Sequence, residues 1–283
     1  MPAISLIVCV YRQRDLLARL LDESRGCYDD LVVVHDGPDT DGIRSLVEQN
    51  HGRFFERERA FQQEPHWPFA WAQAQHDWIL RLDADEFPSV EMKAWLQDFR
   101  NTSEPSASIS GFTCIWPLWD GQKTLTRQWP AGRHFLFHRQ RVRFFGMVEQ
   151  VPVADGMFQP LELVLHHQPN RRALGLKNVL FRRQAYLWRT VIARSLLAKP
   201  TDLACWRWTN EAWPESWEII RRRPLRTAAS RLIMGPLRSA RDEWKHERKV
   251  TFSAVLNGAI HHSLICLEYW RLRRNSRKVA TPS

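Results

Sequence analysis

Short apolar blocks rich in β-branched residues alternate, through the first third of the chain, with stretches whose leucines keep helical spacing. Residues 4–11, Ile-Ser-Leu-Ile-Val-Cys-Val-Tyr, form a continuous apolar run of strand length, which predicts a buried strand. Leu16, Leu17, Leu20 and Leu21 then mark one face of a helix over 13–24. Residues 30–35 predict a second strand, closed by the turn-forming Asp36-Gly37-Pro38-Asp39. A helix over about 40–50, a weaker strand over 53–56, a helix over 68–77 and a strand over 78–83 continue the pattern. Strands alternating with helices imply parallel pairing in a doubly wound sheet.

After residue 90 the rhythm changes. Residues 109–118, 133–139 and 142–153 read as strands separated by turns, with less helix between them. From about residue 171 the chain becomes helical, basic and rich in tryptophan, which places a boundary near Pro169-Asn170. The 17 residues 251–267 carry no charged side chain with histidine neutral, fewer than the roughly 20 apolar residues a bilayer span needs. Phe252, Val255, Leu256, Ala259, Ile260 and Leu264 keep helical spacing there, and Tyr269-Trp270-Arg271 follows. Such a helix suits either a membrane interface or packing on the domain.

Charge sharpens this division. Residues 1–170 hold 17 basic and 23 acidic side chains, net −6, and residues 171–283 hold 24 and 8, net +16. A basic second part is expected to meet a polyanion such as anionic lipid headgroups, or else to form a solvated arginine-rich surface. Cys9, Cys27, Cys114, Cys205 and Cys266 are scattered and form no Cys-x-x-Cys pair, which argues against a disulfide framework or zinc site and for a reducing compartment. The first apolar run is short and has no basic region before it, so no signal peptide is expected.

The absences narrow the chemistry. Tyr11-Arg12-Gln13-Arg14-Asp15 follows the first strand without a glycine, so the dinucleotide fingerprint is missing. A phosphate-binding P-loop and a Gly-x-Ser-x-Gly elbow are also absent. What remains is acidic. Trp78-Ile-Leu-Arg-Leu-Asp-Ala-Asp-Glu86 runs an apolar strand into two carboxylates. Residues two apart in an extended chain point the same way, so Asp83 and Asp85 project together. Paired carboxylates suit a hard divalent cation, and that cation suits a diphosphate. Asp36 ends the second strand at the carboxyl edge, where open α/β sheets bind ligands. Glu149, within Phe144-Phe-Gly-Met-Val-Glu-Gln-Val151, has apolar neighbours that favour a raised pKa and a role as general base.

Together, Ile4 to Tyr11 with its leucine-rich helix, Val32-Val-Val-His-Asp-Gly37, Trp78 to Glu86, Gly146-Met-Val-Glu-Gln150 and Leu165-His166 resemble glycosyltransferase family 2 over roughly residues 1–170. Within that family the chain is most similar to bacterial enzymes that build lipopolysaccharide core and related envelope glycans. The resemblance implies an α/β fold of the GT-A type, a mixed sheet flanked by helices, with a helical, basic C-terminal extension. It implies a catalytic domain over 1–170 and a possibly membrane-associating region over 171–283. Val10 and Tyr11 would line the nucleotide pocket, and Asp36 would contact the nucleobase or ribose. Asp83 would contact the ribose or metal, Asp85 would bind Mn2+ or Mg2+ on the diphosphate, and His166 would complete the metal or diphosphate site. Glu149 would deprotonate the acceptor hydroxyl, which displaces the nucleotide diphosphate with inversion. Trp116, Trp119 and Trp129 fall on the acceptor side, where an aromatic face stacks on a sugar.

The chain departs from the family where His35-Asp36 stands for two acids, Arg12 stands for asparagine, and Val148-Glu149 stands for Val-His-Glu. Gln184-Ala-Tyr-Leu-Trp188 lacks the arginine of processive synthases, so a single-sugar transfer is expected. The expected partners are a nucleotide-diphosphate sugar, a glycan or glycolipid acceptor and an anionic membrane, with no nucleic acid. The expected location is cytoplasmic, on the inner face of the cytoplasmic membrane. Two other readings stand beside this one: a nucleotidyltransferase of similar fold, and a non-catalytic protein that binds nucleic acid through its basic half.

Overall fold

The structure is a computed structural model that describes residues 1–60, 63–117, 119, 122, 124, 132–144, 152–169, 193, 219–248, 250 and 252–279. The chain divides into two compact units, Met1–Arg171 and Arg172–Ser283.

The first unit is built on one eight-stranded sheet. Its elements in chain order are β1 (Ile4–Val10), α1 (Arg14–Glu23), β2 (Asp30–Asp36), α2 (Ile43–Gln49), β3 (Arg53–Arg57), a 3-10 turn (Glu64–His66), α3 (Trp67–Gln73), β4 (Trp78–Arg81), β5 (Glu86–Pro88), α4 (Val90–Asn101), β6 (Ile109–Ile115), β7 (Arg133–His138), β8 (Val142–Arg143), β9 (Val153–Ala154) and β10 (Met157–His167). The strand order is β3-β2-β1-β4-β7-β6-β10-β5, with β8 and β9 forming a separate pair. Strands β3, β2, β1 and β4 are mutually parallel. β7 then enters antiparallel to both β4 and β6, which makes the sheet mixed.

Alternation along each strand divides the core between the two faces. Ile4, Leu6, Val8 and Val10 pack with the leucines of α1, Leu46 and Val47 of α2, and Met92, Leu96 and Phe99 of α4. Ile7, Cys9, Val32 and Val34 face the other way, onto Trp67, Ala70 and Trp71 of α3. Because β1 and β2 are buried on both faces, they read as continuous apolar runs in the sequence.

The expectation of a strand over 142–153 is corrected: the pair β8 and β9 holds only its ends, and residues 145–151 lie outside the described residues. The long β10 pairs parallel with β6, but β5 covers only its last residues, Leu165–His167. A largely open second edge explains how β10 accommodates Pro160 and keeps Gln159 and Glu162 in solvent. Cys9, Cys27, Cys114 and Cys266 are buried and unpaired.

In the second unit, α5 (Pro224–Glu247) packs against α6 (Phe252–Val279). Small residues allow the close approach. Ser263 Oγ donates to Ala228 O at 3.0 Å, and a Cβ added to Gly235 would lie 3.3 Å from that of Ala259. Of the two fates open to residues 251–267, the structure takes packing: Val255, Ala259, Ser263, Ile265 and Cys266 are buried. Exposed apolar side chains lie on both helices: Leu267 and Trp270 of α6 are 42% and 36% exposed, and on α5 Leu225, Leu232, Ile233, Leu237 and Trp244 are 47%, 49%, 67%, 63% and 55% exposed. No described helix is long and apolar enough to cross a membrane.

Candidate active site

Parallel pairing sets the carboxyl ends of β2, β1 and β4 side by side, and the predicted acids arrive there. β1 ends in the buried Val10. Tyr11 follows, with the Arg59 guanidinium 3.5 Å from its ring centroid. Asp36 is 6% exposed, and its Oδ1 accepts from Ala60 N at 2.5 Å and from His66 Nε2 at 2.9 Å. Asp36 thus anchors the segment over 60–66 to the sheet edge. The same segment reaches the next acid, because Gln63 Nε2 donates to Asp83 Oδ2 at 3.0 Å.

Asp83 belongs to a charge cluster that runs across strands. β4 and β7 pair Leu80 with Leu136, and continuing that register by three residues sets Asp83 opposite Arg133. Arg133 approaches Asp83 Oδ2 at 3.1 Å and Glu86 Oε1 at 2.9 Å. Glu86 Oε2 also accepts from Asp83 N at 2.8 Å, closing a tight turn between the two acids. Burial alone would raise the pKa of Asp83, but the Arg133 and Arg81 guanidinium groups outweigh it and hold the carboxyl below its ordinary value. Glu86 goes the other way: its burial raises the pKa, and Arg133 only partly offsets this. Arg81 is 7% exposed, with its guanidinium carbon 4.5 Å from the Trp67 ring. Burial, and then Arg133 beside it, lower the Arg81 pKa to about 10, which leaves it charged at neutral pH.

Asp85 is 8% exposed, and the histidine that meets it is His167, whose Nε2 lies 3.6 Å from Asp85 Oδ2. The histidine expected from the sequence was its neighbour, His166. Successive strand residues point to opposite faces, and His166 is exposed. Burial disfavours the charged form of His167, but Asp85 outweighs it and raises the pKa. The His167 ring stacks on Trp116 with centroids 4.5 Å apart, so Trp116 is engaged beside Asp85. Trp119 forms an isolated bridge with Thr124. Glu149, Trp129 and Gln184 to Trp188 lie outside the described residues.

The structure therefore brings Asp36, Asp83 and Asp85 to one edge, beside the end of β1. It adds Arg81, Arg133, Gln63, His66 and His167, none of which the sequence singled out. Arg133 had no local signal, since its partners are 47 and 50 residues away in the chain. His167 had one in the doublet His166-His167, but choosing between the two needs the strand register.

The sequence profile described as Glycosyl transferase family 2 matches residues 5–150. Comparison with curated proteins gives no match. Among solved structures, the mannosyltransferase PcManGT from Pyrobaculum calidifontis, in complex with GDP-Man and Mn2+, superposes with a TM-score of 0.51 at 14% identity, over 93% of this chain and 86% of that one. S. aureus TarS, residues 1–349, aligns with a TM-score of 0.38 at 14% identity, over 95% of this chain and 91% of that one.

Proposed function

This chain belongs to glycosyltransferase family 2 and is a glycosyl-transfer enzyme of the GT-A fold, and from that premise we propose that it moves one sugar from a nucleotide-diphosphate donor to a glycan or glycolipid acceptor with inversion. The observation that carries the reading is the meeting of Asp36, Asp83 and Asp85 at the carboxyl edge of β2 and β4, with the buried Arg81 and the partly buried Arg133 guanidinium groups among them. Family membership sets aside the nucleotidyltransferase and nucleic-acid readings.

The side chains present fit a divalent cation. Asp83 Oδ1 is buried without a hydrogen-bond partner, and Asp85 with His167 supplies further acceptor atoms nearby in sequence and on the adjoining strand. Asp83, Asp85 and His167 would hold Mn2+ or Mg2+, which when bound offsets the charge on the departing diphosphate. Arg133 keeps Asp83 ionised and in place through Glu86, so the carboxylate is set before a donor arrives. Arg81 adds positive charge close to the same edge. Asp36, with Val10 and Tyr11, shapes the nucleotide end through its hold on the 60–66 segment. Glu149 takes the proton from the acceptor hydroxyl, a role that rests on the family pattern alone. The lipopolysaccharide-type acceptor and a place on the inner face of the cytoplasmic membrane rest on the basic second part and on the exposed apolar side chains of α5.

A donor screen by nucleotide-diphosphate release, with and without Mn2+, tests the reading, and GDP-mannose is a natural first donor. Transfer by wild type and loss of at least about 100-fold in Asp85→Ala are expected. Full, still metal-dependent transfer by Asp85→Ala would overturn the site. Unchanged turnover in Glu149→Gln would remove it as the base.

A further inference from the structure

Away from the Asp83–Asp85 pair, a second group of ligand-type side chains closes on itself just after β2. One ring nitrogen of His35 and one carboxylate oxygen each of Asp39 and Asp41 lie within 4.8 Å of one another. His35 is 0% exposed, and its Nδ1 sits 2.6 Å from Gly37 O. A carbonyl oxygen only accepts, so Nδ1 carries the proton and, in the neutral ring, Nε2 keeps its lone pair. That nitrogen is buried with no hydrogen-bond partner. It faces Asp41 Oδ1 at 4.0 Å, itself buried with no hydrogen-bond donor. Two acceptors facing each other in a buried place are unfavourable unless something positive sits between them. A tetrahedral zinc with bonds of about 2.0–2.2 Å holds its ligand atoms about 3.3–3.6 Å apart, so the 4.0 Å gap needs to close by roughly half an ångström.

Asp39 is prepared in the same way. Its Oδ1 accepts from the N–H groups of Asp41, Gly42 and Ile43 at 3.3, 3.1 and 3.1 Å, and its Oδ2 accepts only from Arg44 N at 2.8 Å. The carboxylate is therefore oriented, and Oδ2 has a lone pair to spare. An imidazole whose far nitrogen donates to a backbone carbonyl is the support that metal-bound histidines use.

We propose that His35, Asp39 and Asp41 bind a borderline divalent ion, Zn2+ or Co2+, at a site distinct from the Asp83–Asp85 edge. The imidazole favours such an ion over Mg2+ or Ca2+, which take oxygen ligands. The three ligands close around it with movements under about 1 Å. The ion fixes the turn between β2 and α2 beside Tyr11, whose ring lies 5.8 Å from that of His35. This site does not depend on the transfer reaction assigned above.

The full-length protein, stripped by chelation and free of nucleotide, is titrated with Zn2+ by calorimetry and with Co2+ by visible absorption. In Asp85→Asn, which removes a ligand of the other site, one equivalent is expected to remain, and adding His35→Gln or Asp41→Asn should weaken it at least tenfold and abolish the Co2+ bands. The Asp41 side chain is 29% exposed, so Asp41→Asn decides the matter if the buried His35→Gln does not fold. Absence of Zn2+ binding in wild type, or binding that survives Asp41→Asn and disappears in Asp85→Asn, overturns the proposal.

Discussion

Two buried carboxylates, Asp83 and Glu86, share the guanidinium of Arg133. Removing a shared partner leaves buried charge unpaired, which costs more than the pair contributes. Arg133→Met should lower the unfolding free energy by about 2–3 kcal/mol, the modest figure reflecting the 17% exposure of the Arg133 side chain. Arg133→Lys keeps the charge but loses the fork that serves both acids, so it should recover stability in urea titrations more than it recovers transfer. His134, next along β7, has its pKa lowered to about 3 by burial and then by Arg81 and Arg133. The unfolded chain protonates this histidine below about pH 6.5 while the folded chain leaves it neutral. The unfolded state thus binds the extra proton, and stability falls as pH drops below 6.5, by at most about 1.4 kcal/mol per pH unit. His134→Gln should flatten the dependence of the urea midpoint on pH between 6.5 and 5. At this scale the acids of the site were legible because each ends an apolar strand. Their basic partner was not, because pairing between β4 and β7 decides which arginine meets them.

Among the elements, those with one kind of environment were the readable ones. β1, β2 and β4 are buried along their whole length, and α1 shows a clean leucine face. α4 was hidden because the charged residues Glu91, Lys93, Asp98 and Arg100 are spread along its whole length. Only Met92, Leu96 and Phe99 are fully buried, and the start signal is the single Ser89. Ser89 Oγ accepts from Met92 N at 3.2 Å, satisfying one of the unpaired donors of the first turn. Ser89→Ala should therefore cost about 1 kcal/mol in chemical denaturation, with Ser89→Asp close to wild type. β10 was hidden for the opposite reason. It spends much of its length on an uncovered edge, so its side chains do not alternate cleanly. A strand over 142–153 looked continuous by hydrophobicity, but Val142–Arg143 pairs antiparallel with Val153–Ala154, so the chain reverses between them.

For the molecule as a whole, the split of charge between the two parts was plain in the sequence, and of the two fates it left open for residues 251–267 the structure shows packing. α6 packs its buried apolar residues on α5, and α5 turns Ile233, Leu237 and Trp244 outward with Arg226 and Arg238 along the same helix. Spacings of four and seven put those three on one face. Ile233→Glu with Leu237→Glu should abolish co-flotation of the full chain with anionic vesicles at low salt, while nucleotide-diphosphate release from the donor in the presence of soluble acceptors persists. Equal flotation of the variant would leave α5 without a role at the membrane. The antiparallel insertion of β7 has a separate consequence for how such an enzyme diversifies. Arg133 is held in register by β4 on one side and by Cys114 of β6 on the other. The chain between Trp116, whose ring stacks on His167, and Arg133 can therefore lengthen, shorten or be exchanged without moving the charge that steadies Asp83. On the proposed reading, acceptor preference drifts through that segment while donor chemistry stays where it is, which makes residues 117–132 the place to graft a relative's specificity onto this scaffold.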